Sequence, residues 1–412
     1  MSRRATLRVA AATLCLAALW IVPARALARS APHLSVRSAA LFAPGTGQLL
    51  YGERARRESA IASTTKLMTA LIVLEHVHHL GTIYTDPNYY PASTDSQIGL
   101  TPGDRMSVHD LLIALMLPSA DDAAYDLAYN VAHGSVARFV GMMNAKAREL
   151  GLTGTHYSTP IGLDTPGNYS TASDLVRLAD YDLTHSAFFA RIVALPSAVL
   201  RTGPAHSVVN RNTLVGEIPW INGVKTGHTS DAGYVLVASG HRDGMTLISA
   251  VLGTDSESSR DANTMALLNY GFANFIRRTP VRAHELMARP SVRDSPGKHA
   301  IVRAARTFTR VLPRSDRVRV DVEVARRLTG PLPGQSVVGT AVVLADGRPI
   351  ARIPLVLERA LPAVSGLTIA ARFITQPLML SGILVALALV VALGGLVRRG
   401  GGQQPTVHSA EE

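Results

Sequence analysis

Apolar residues in the first two thirds of the chain alternate between strand spacing and helix spacing. The stretch "ALFAPGTGQLLYG" has strand-like spacing around a turn at Pro44 and Gly45, which predicts two antiparallel strands. The stretch "IASTTKLMTALIVL" has helical spacing and a broad apolar face. "VHDLLIALMLPSADDAAYDLAYNVA" predicts two helices with a break near Pro118 and Ser119. "GYVLVAS" and "MTLISAVLG", separated by "GHRDG", predict a β-hairpin. An α/β layout follows for residues 34–275.

The pattern changes beyond Pro280. Valine occupies every second position of "RVRVDVEVARRL" from Val318 to Val324, which is typical of a strand with one buried face. "SVVGTAVVLADGRPIARIPLVL" predicts two further strands joined by a turn at Asp346 and Gly347. We therefore expect a separate small antiparallel β domain over residues 281–362.

Both ends of the chain predict an association with a membrane. Three arginines precede sixteen uncharged residues from Val9 to Ala24, and small-residue sites follow, as in a cleaved secretory signal peptide over residues 1–28. An uncleaved anchor would need about 20 residues to span a bilayer. The 25 residues 373–397 carry no charge and predict a transmembrane helix over residues 374–397. The body of the chain is then extracytoplasmic, and residues 398–412 form a cytoplasmic tail.

Positive charge is concentrated in the predicted β domain. The net charge is +11, and residues 281–360 contain fourteen arginines and Lys298 against seven acids. Nucleic-acid binding is one reading of such an excess. In an exported, tethered chain with only 5% aromatic residues, attraction to anionic lipid headgroups or anionic wall polymer is favoured instead, so no nucleic-acid partner is expected.

Ser63 and Lys66 are candidates for nucleophilic catalysis. Three residues apart on a helix, they share one face, and an amine whose pKa is depressed can take the serine proton. The pattern alone is weak, but lysine is rare in this chain: four of the 41 basic residues are lysines, at positions 66, 146, 225 and 298. Because a guanidinium effectively never deprotonates, the rare lysines indicate positions where arginine would not serve.

Three short motifs occur in a fixed order: "STTK" at 63–66, "PSADDAA" around Ser119, and "KTG" at 225–227. With their flanks, such as "INGVKTGHTSDAGYVLVASG", they resemble the serine D-alanyl-D-alanine carboxypeptidases, the low-molecular-mass penicillin-binding proteins of peptidase family S11. The likeness covers residues 34–275 and, more loosely, the β domain. It implies a penicillin-binding/transpeptidase-like fold over residues 32–277, with an antiparallel sheet flanked by helices and a helical subdomain.

The resemblance assigns the reacting groups to three residues. It implies that Ser63 is the nucleophile, that Lys66 is its general base, and that Ser119 relays protons to the leaving amine. No metal and no organic cofactor is implied. The histidine-rich stretch "EHVHH" at 75–79 has no partner cluster at a zinc spacing, which favours a solvated helix end.

The resemblance also implies a substrate-binding set. Lys225 and Thr226 would hold the terminal carboxylate, and Gly227 would let the strand approach the bound peptide. The main-chain N–H of His228 would complete an oxyanion hole with that of Ser63. Arg260 would be a further basic residue near the carboxylate, with a surface arginine as the alternative.

Asp121 departs from the Ser-x-Asn pattern. An asparagine can donate a hydrogen bond as well as accept one, whereas an ionised aspartate can only accept. A carboxylate at this position would also raise the pKa of Lys66. We therefore expect Asp121 to weaken or retune the activity, unless it is protonated in the site.

The function that follows is removal of the terminal D-alanine from peptidoglycan stem peptides through a Ser63 acyl-enzyme. β-Lactam antibiotics are expected to acylate the same serine, and the C-terminal helix to tether the enzyme. A β-lactamase shares the first and third motifs, although the basic β domain argues against that function. A non-catalytic peptidoglycan-binding protein is the other alternative, because of Asp121.

Overall fold

The structure is a computed structural model that describes residues 30–204, 207–293, 295, 297–363, 366 and 377–399. These residues form two compact units. The first contains the described residues up to 278 together with 309–316, and the second contains those of 279–308 and from 317 onwards.

The helices and strands are numbered in chain order. The helices are α1 Lys66–His76, α2 Val108–Met116, α3 Asp121–Val131, α4 Val136–Glu149, α5 Ala172–His185, α6 Ala187–Val193, α7 Leu214–Glu217, α8 Glu257–Asn274 and α9 Pro377–Arg399. The strands are β1 Ser38–Ala43, β2 Gln48–Glu53, β3 Ile83–Thr85, β4 Arg105–Ser107, β5 Ser197–Val199, β6 Ser207–Val209, β7 Ile221–Thr229, β8 Gly233–Arg242, β9 Met245–Thr254, β10 Phe275–Val281, β11 Leu286–Ala288, β12 Ser291–Val292, β13 Val302–Ala304, β14 Phe308–Pro313, β15 Val318–Val324, β16 Arg327–Leu328, β17 Val337–Ala345 and β18 Arg348–Leu357.

A five-stranded antiparallel sheet in the order β2-β1-β9-β8-β7 forms the centre of the first unit. Alternate residues of β1 face opposite sides, as the period of two requires. Ala40 and Phe42 pack in a core shared with α1, α2, α3 and α5, whereas Leu41 packs with Leu267 and Phe272 of α8. The sheet therefore lies between two helical layers. The expected α/β layout and the predicted hairpins are confirmed.

The predicted break between two helices is also confirmed. α2 begins after Ser107, whose hydroxyl accepts a hydrogen bond from Asp110 N, a common N-cap. It ends at Met116, and α3 begins at Asp121. Between them, Ser119 has a φ of 69°, a left-handed conformation that a helix cannot continue through.

The predicted position of Ser63 within an α-helix is wrong in detail. Ser63 lies in a 3₁₀ turn, Ala62–Thr65, and the α-helix begins at Lys66. Ala62 opens the turn with a φ of 48°, which sets it apart from regular helix. The tighter turn still leaves Ser63 and Lys66 on one side of the chain, because side chains three residues apart eclipse in a 3₁₀ helix.

The second unit has its own antiparallel sheet in the order β11-β13-β18-β17-β15. Its core contains buried aliphatic residues of three of these strands, including Val302, Val343 and Leu355. β17 and β18 are joined by Asp346 and Gly347, both with positive φ, as the predicted hairpin requires.

The expected membrane elements have no support in the structure. In the part of the chain that the structure describes, no helix is both long and apolar enough to cross a membrane. The expected span over residues 374–397 overlaps α9, and residues 367–376 are not described. The expected signal peptide and residues 400–412 of the expected tail lie outside the described residues.

Candidate active site

Lys66 is the centre of the candidate site. Its Nζ lies 2.9 Å from Ser63 Oγ, 2.6 Å from Asp121 Oδ1 and 2.6 Å from the carbonyl oxygen of Ile161. The lysine is fully buried. Ser63 and Asp121, the residue that replaces the asparagine of the Ser-x-Asn pattern, therefore both contact Lys66 Nζ, although Asp121 is 55 residues away from the lysine in sequence.

Burial has the largest effect on the pKa of Lys66. Burial lowers the pKa of Lys66 below its usual value, because a charged amine is poorly solvated in the interior. The Asp121 carboxylate opposes this by favouring the ammonium, and the positive charge of Arg211 lowers the pKa further. Asp121 thus acts in the expected direction, but burial is the larger effect.

The three contacts of Lys66 suit a neutral amine. Asp121 Oδ1 and the Ile161 carbonyl can only accept hydrogen bonds, whereas the Ser63 hydroxyl can donate or accept. A neutral amine has two N–H donors and one lone pair. It can satisfy both acceptors and still accept the Ser63 proton, which is the geometry that a general base requires.

Ser119 lies at the break before α3 with its side chain turned into the interior. It is 2% exposed, and its hydroxyl has no hydrogen-bond partner among the described residues. Buried hydroxyls normally find a partner, so the Ser119 hydroxyl keeps an unused capacity to donate and accept hydrogen bonds. The structure thus brings the second motif next to Lys66 through Asp121.

The third motif lies on β7 beside the Ser63 turn. A Cβ atom on Gly227 would lie only 3.0 Å from Ser63 N and 3.1 Å from the carbonyl oxygen of Ile61. Only glycine therefore fits without displacing the turn that carries Ser63. Lys225 and Thr226 precede it and are both buried.

Lys225 is the second buried lysine of the site. Burial lowers the pKa of Lys225 well below its usual value, followed by the like charges of Lys66 and Arg211. Its Nζ donates to the carbonyl oxygen of Thr226 at 3.2 Å, and the described residues provide no carboxylate at hydrogen-bond distance. A buried amine without a carboxylate partner is suited to an anionic group brought by a ligand, which would favour the charged form of the amine.

His228 and Arg260 differ in exposure. The His228 side chain is exposed and stacks on Tyr234, with ring centroids 4.0 Å apart. Arg260 is 2% exposed, so the alternative of a surface arginine is wrong. Its guanidinium pairs with Asp261 through two hydrogen bonds of 2.8 Å and 3.2 Å.

Two features of the site could not be predicted from the sequence. The carbonyl of Ile161 belongs to the loop 159–168, which is pinned to α1 by a 2.6 Å bond from Thr69 Oγ1 to the carbonyl of Pro160. No side-chain pattern can indicate a backbone acceptor. Arg211, an exposed residue, lowers the pKa of both Lys66 and Lys225, and its stretch "NRNTL" carries no recognised motif.

The fold and the site together define a class: a serine enzyme of acyl transfer, with a helix-flanked antiparallel sheet and a lysine beside the serine. Comparison with known families narrows the class. The profile of the peptidase S11 D-alanyl-D-alanine carboxypeptidases matches residues 25–256, more than half of the chain. The chain belongs to the D-alanyl-D-alanine carboxypeptidase family of serine hydrolases.

Individual relatives agree with this assignment. The D-alanyl-D-alanine carboxypeptidase DacC of Escherichia coli (strain K12) is 32% identical over 341 residues, which cover 79% of this chain and 84% of the relative. Penicillin binding protein 5 from Haemophilus influenzae aligns with a TM-score of 0.68 at 26% identity, over 81% of this chain and 99% of that one. The Streptomyces K15 DD-transpeptidase aligns with a TM-score of 0.56 at 34% identity, over 60% of this chain and 100% of that one. A penicillin-binding/transpeptidase-like fold follows, and neither alternative function is favoured.

Proposed function

We propose that this D-alanyl-D-alanine carboxypeptidase acts on peptidoglycan stem peptides through a covalent intermediate on Ser63. The observation that carries the proposal is the contact of 2.9 Å between Ser63 Oγ and the Nζ of Lys66, a buried amine with a lowered pKa. This contact supplies both requirements of an activated serine, a nucleophile and a base within hydrogen-bond reach.

Acylation begins with the Ser63 proton. Lys66 takes it as Ser63 Oγ bonds to the carbonyl carbon of the penultimate D-alanine. The main-chain N–H groups of Ser63 and His228 stabilise the negative charge on the carbonyl oxygen. The C–N bond then breaks, and the proton passes from Lys66 through the Ser119 hydroxyl to the departing amine. D-Alanine leaves, and the peptide remains esterified to Ser63.

Lys66 is also the general base for hydrolysis of the acyl-enzyme. Lys66 takes a proton from water, whose oxygen attacks the ester carbon. The C–O bond to Ser63 breaks, and Ser63 Oγ regains a proton from Lys66. The shortened stem peptide then leaves, and the enzyme returns to its starting state.

Lys225 and Thr226 are proposed to bind the terminal carboxylate of the substrate. An incoming carboxylate would favour the charged form of Lys225, and that positive charge would in turn favour the neutral form of Lys66. Substrate binding would therefore help to prepare the base. The positive charge of Arg260 lowers the pKa of Lys225, and its guanidinium is already paired with Asp261.

The test of the reaction is release of D-alanine from a pentapeptide that ends in D-Ala-D-Ala. Mass spectrometry should detect free D-alanine and the tetrapeptide with the wild type and neither with Ser63→Ala. Ser158→Ala is a matched control, since that hydroxyl donates to the carbonyl of Pro166 on the surface. Release by Ser63→Ala at the wild-type rate would exclude Ser63 as the nucleophile.

We further propose that the enzyme is exported and tethered, with β-lactams as covalent inhibitors of the same serine. Support for the tether comes from the 25 uncharged residues 373–397 and from exposed side chains on α9 such as Leu384 and Val391. The full chain is then expected in the membrane fraction after carbonate washing, and a chain ending at residue 363 in the soluble fraction. Recovery of both in the soluble fraction would contradict the tether.

A further inference from the structure

The two ends of the segment 86–104, which we call the strap, lie next to each other. The strap connects the paired strands β3 and β4. Asp86 N donates to the carbonyl of Asp104 at 2.8 Å, and Gly103 N donates to the carbonyl of Asp86 at 3.1 Å. With its ends closed in this way, the strap is a compact loop whose middle can be fixed independently of its ends.

Asp122, the second residue of α3, holds the middle of the strap. Its Oδ2 accepts hydrogen bonds from the backbone N–H groups of Ile98, Gly99 and Leu100, each at 3.0 Å. Its Oδ1 accepts from Ala123 N at 2.9 Å, and the residue is only 1% exposed. Three successive N–H groups that converge on one oxygen form a nest that suits a carboxylate.

The strap also bonds to the turn that carries the second motif. Asp121 N donates to the carbonyl of Ser96 at 2.7 Å, so Asp121 and Asp122 both contact the strap. The turn before them includes Ser119 with its strained φ of 69°. Gln97 and Ile98 of the strap line an open cleft of about 540 Å³ together with Arg211. The clamped part of the strap therefore contacts the site through Asp121.

We propose that Asp122 is a positioning residue for D-alanine release. Its carboxylate clamps the strap onto the first turn of α3, and the clamp fixes Ser119 and Asp121 relative to the Ser63–Lys66 pair. Asp122 does not hydrogen-bond to Ser63 or Lys66. Its charge favours the ammonium form of Lys66 less than that of Asp121 does, and its positioning effect acts through Asp121, which bonds to Lys66 Nζ. The inference rests on the proposed roles of Lys66 and Ser119 in proton transfer.

The test compares Asp122→Asn with Asp104→Asn. An asparagine has one acceptor oxygen and cannot serve the donors on both sides of the Asp122 carboxylate. Asp104 Oδ2 accepts from Thr101 N and Thr101 Oγ1, both at 2.8 Å, within the same strap. Per folded molecule, kcat for D-alanine release is expected to fall about tenfold or more in Asp122→Asn with KM within about twofold, because a lost interaction of the transition state leaves binding unchanged. Asp104→Asn is expected to keep both constants.

Gly99→Val provides an independent route if Asp122→Asn does not fold. Gly99 has a φ of 82° and no atom within 4 Å of an added Cβ, so the change disturbs the strap backbone without filling a core. The same loss of kcat with retained KM is expected. Wild-type kcat in either folded variant overturns the clamp and leaves the proposed function intact. A wild type that releases no D-alanine overturns the reaction on which the inference rests.

Discussion

At the scale of single residues, the site depends on how one exposed and three buried ionisable groups influence one another. Lys66 and Lys225 are both buried, and the charge of Lys66 lowers the pKa of Lys225. Asp121 favours the charged form of Lys66, and Arg211 disfavours it. The pKa of Lys66, and with it the ability of Lys66 to take the Ser63 proton, therefore depends on the opposing effects of these neighbours.

These opposing effects predict that two variants shift the pH dependence of kcat/KM in opposite directions. Asp121 raises the pKa of Lys66, so Asp121→Asn should lower it and move the acidic limb of the kcat/KM profile to lower pH. Arg211 lowers the same pKa, so Arg211→Gln should move the limb to higher pH. Profiles of D-alanine release against pH would measure both, with the exposed Arg242→Gln as control. Shifts in the same direction would contradict these opposing effects.

The motif residues could be predicted from the sequence because each motif is a continuous stretch. Ser63 and Lys66 lie one turn apart, so local geometry alone places them together. The contact of Lys66 with Ile161 spans 95 residues and involves a backbone carbonyl. Such a contact exists only after folding and leaves no trace in residue type. The charge of Arg211 reaches the lysines for the same reason, through tertiary structure.

At the scale of elements, the catalytic turn is held between a strand and a loop. Gly227 on β7 approaches Ser63 N closely from one direction, and Gly162 approaches the carbonyl of Ala62 from another. A Cβ on Gly162 would overlap that carbonyl oxygen, at a separation that real Cβ atoms do not reach. Because both neighbours lack a side chain at these points, the 3₁₀ turn can sit between them.

Gly162→Ala is expected to impair catalysis more than it impairs folding. The added methyl group must push Ala62 or the loop that supplies the Ile161 carbonyl, and both movements displace the Ser63–Lys66 pair. Gly151→Ala is the matched control, since Gly151 also has a positive φ but no atom within 4 Å of an added Cβ. We expect about tenfold lower kcat/KM for Gly162→Ala alone. The positive φ costs about 1 kcal/mol in both variants, and the overlap with the Ala62 carbonyl adds to this in Gly162→Ala. Equal kcat/KM in the two variants would contradict this account.

At the scale of the whole molecule, stability depends on buried carboxyl groups as well as on the apolar cores. Burial raises the pKa of Asp126 to about 7, assisted by the nearby Asp86 and Asp122. Burial also raises the pKa of Asp86 to about 6, assisted by Asp122 and Asp104. Asp126 Oδ2 and both carboxylate oxygens of Asp86 lack hydrogen-bond partners among the described residues. These groups therefore favour the neutral form in the folded state.

The free energy of unfolding should fall as the pH rises from about 4 to about 7. A folded-state pKa above the unfolded value means that the folded state binds more protons in this window, so stability is lost as the pH increases, by about 1.4 kcal/mol per pKa unit at most. Asp126→Asn keeps an acceptor for Asn130 Nδ2 and cannot ionise. Denaturant unfolding should find this variant less dependent on pH and more stable than the wild type at about pH 8. The exposed Asp243→Asn is the control, and equal pH dependence in all three proteins would contradict the assignment.

The central claim is that Ser63, activated by Lys66, becomes covalently bound during turnover. Peptide mapping by mass spectrometry after incubation with a fluorescent penicillin tests it most directly. The account predicts one adduct on the peptide that contains Ser63, no adduct in Ser63→Ala, and greatly slowed labelling in Lys66→Met. An unlabelled wild-type protein, or an adduct on a different serine, would contradict it.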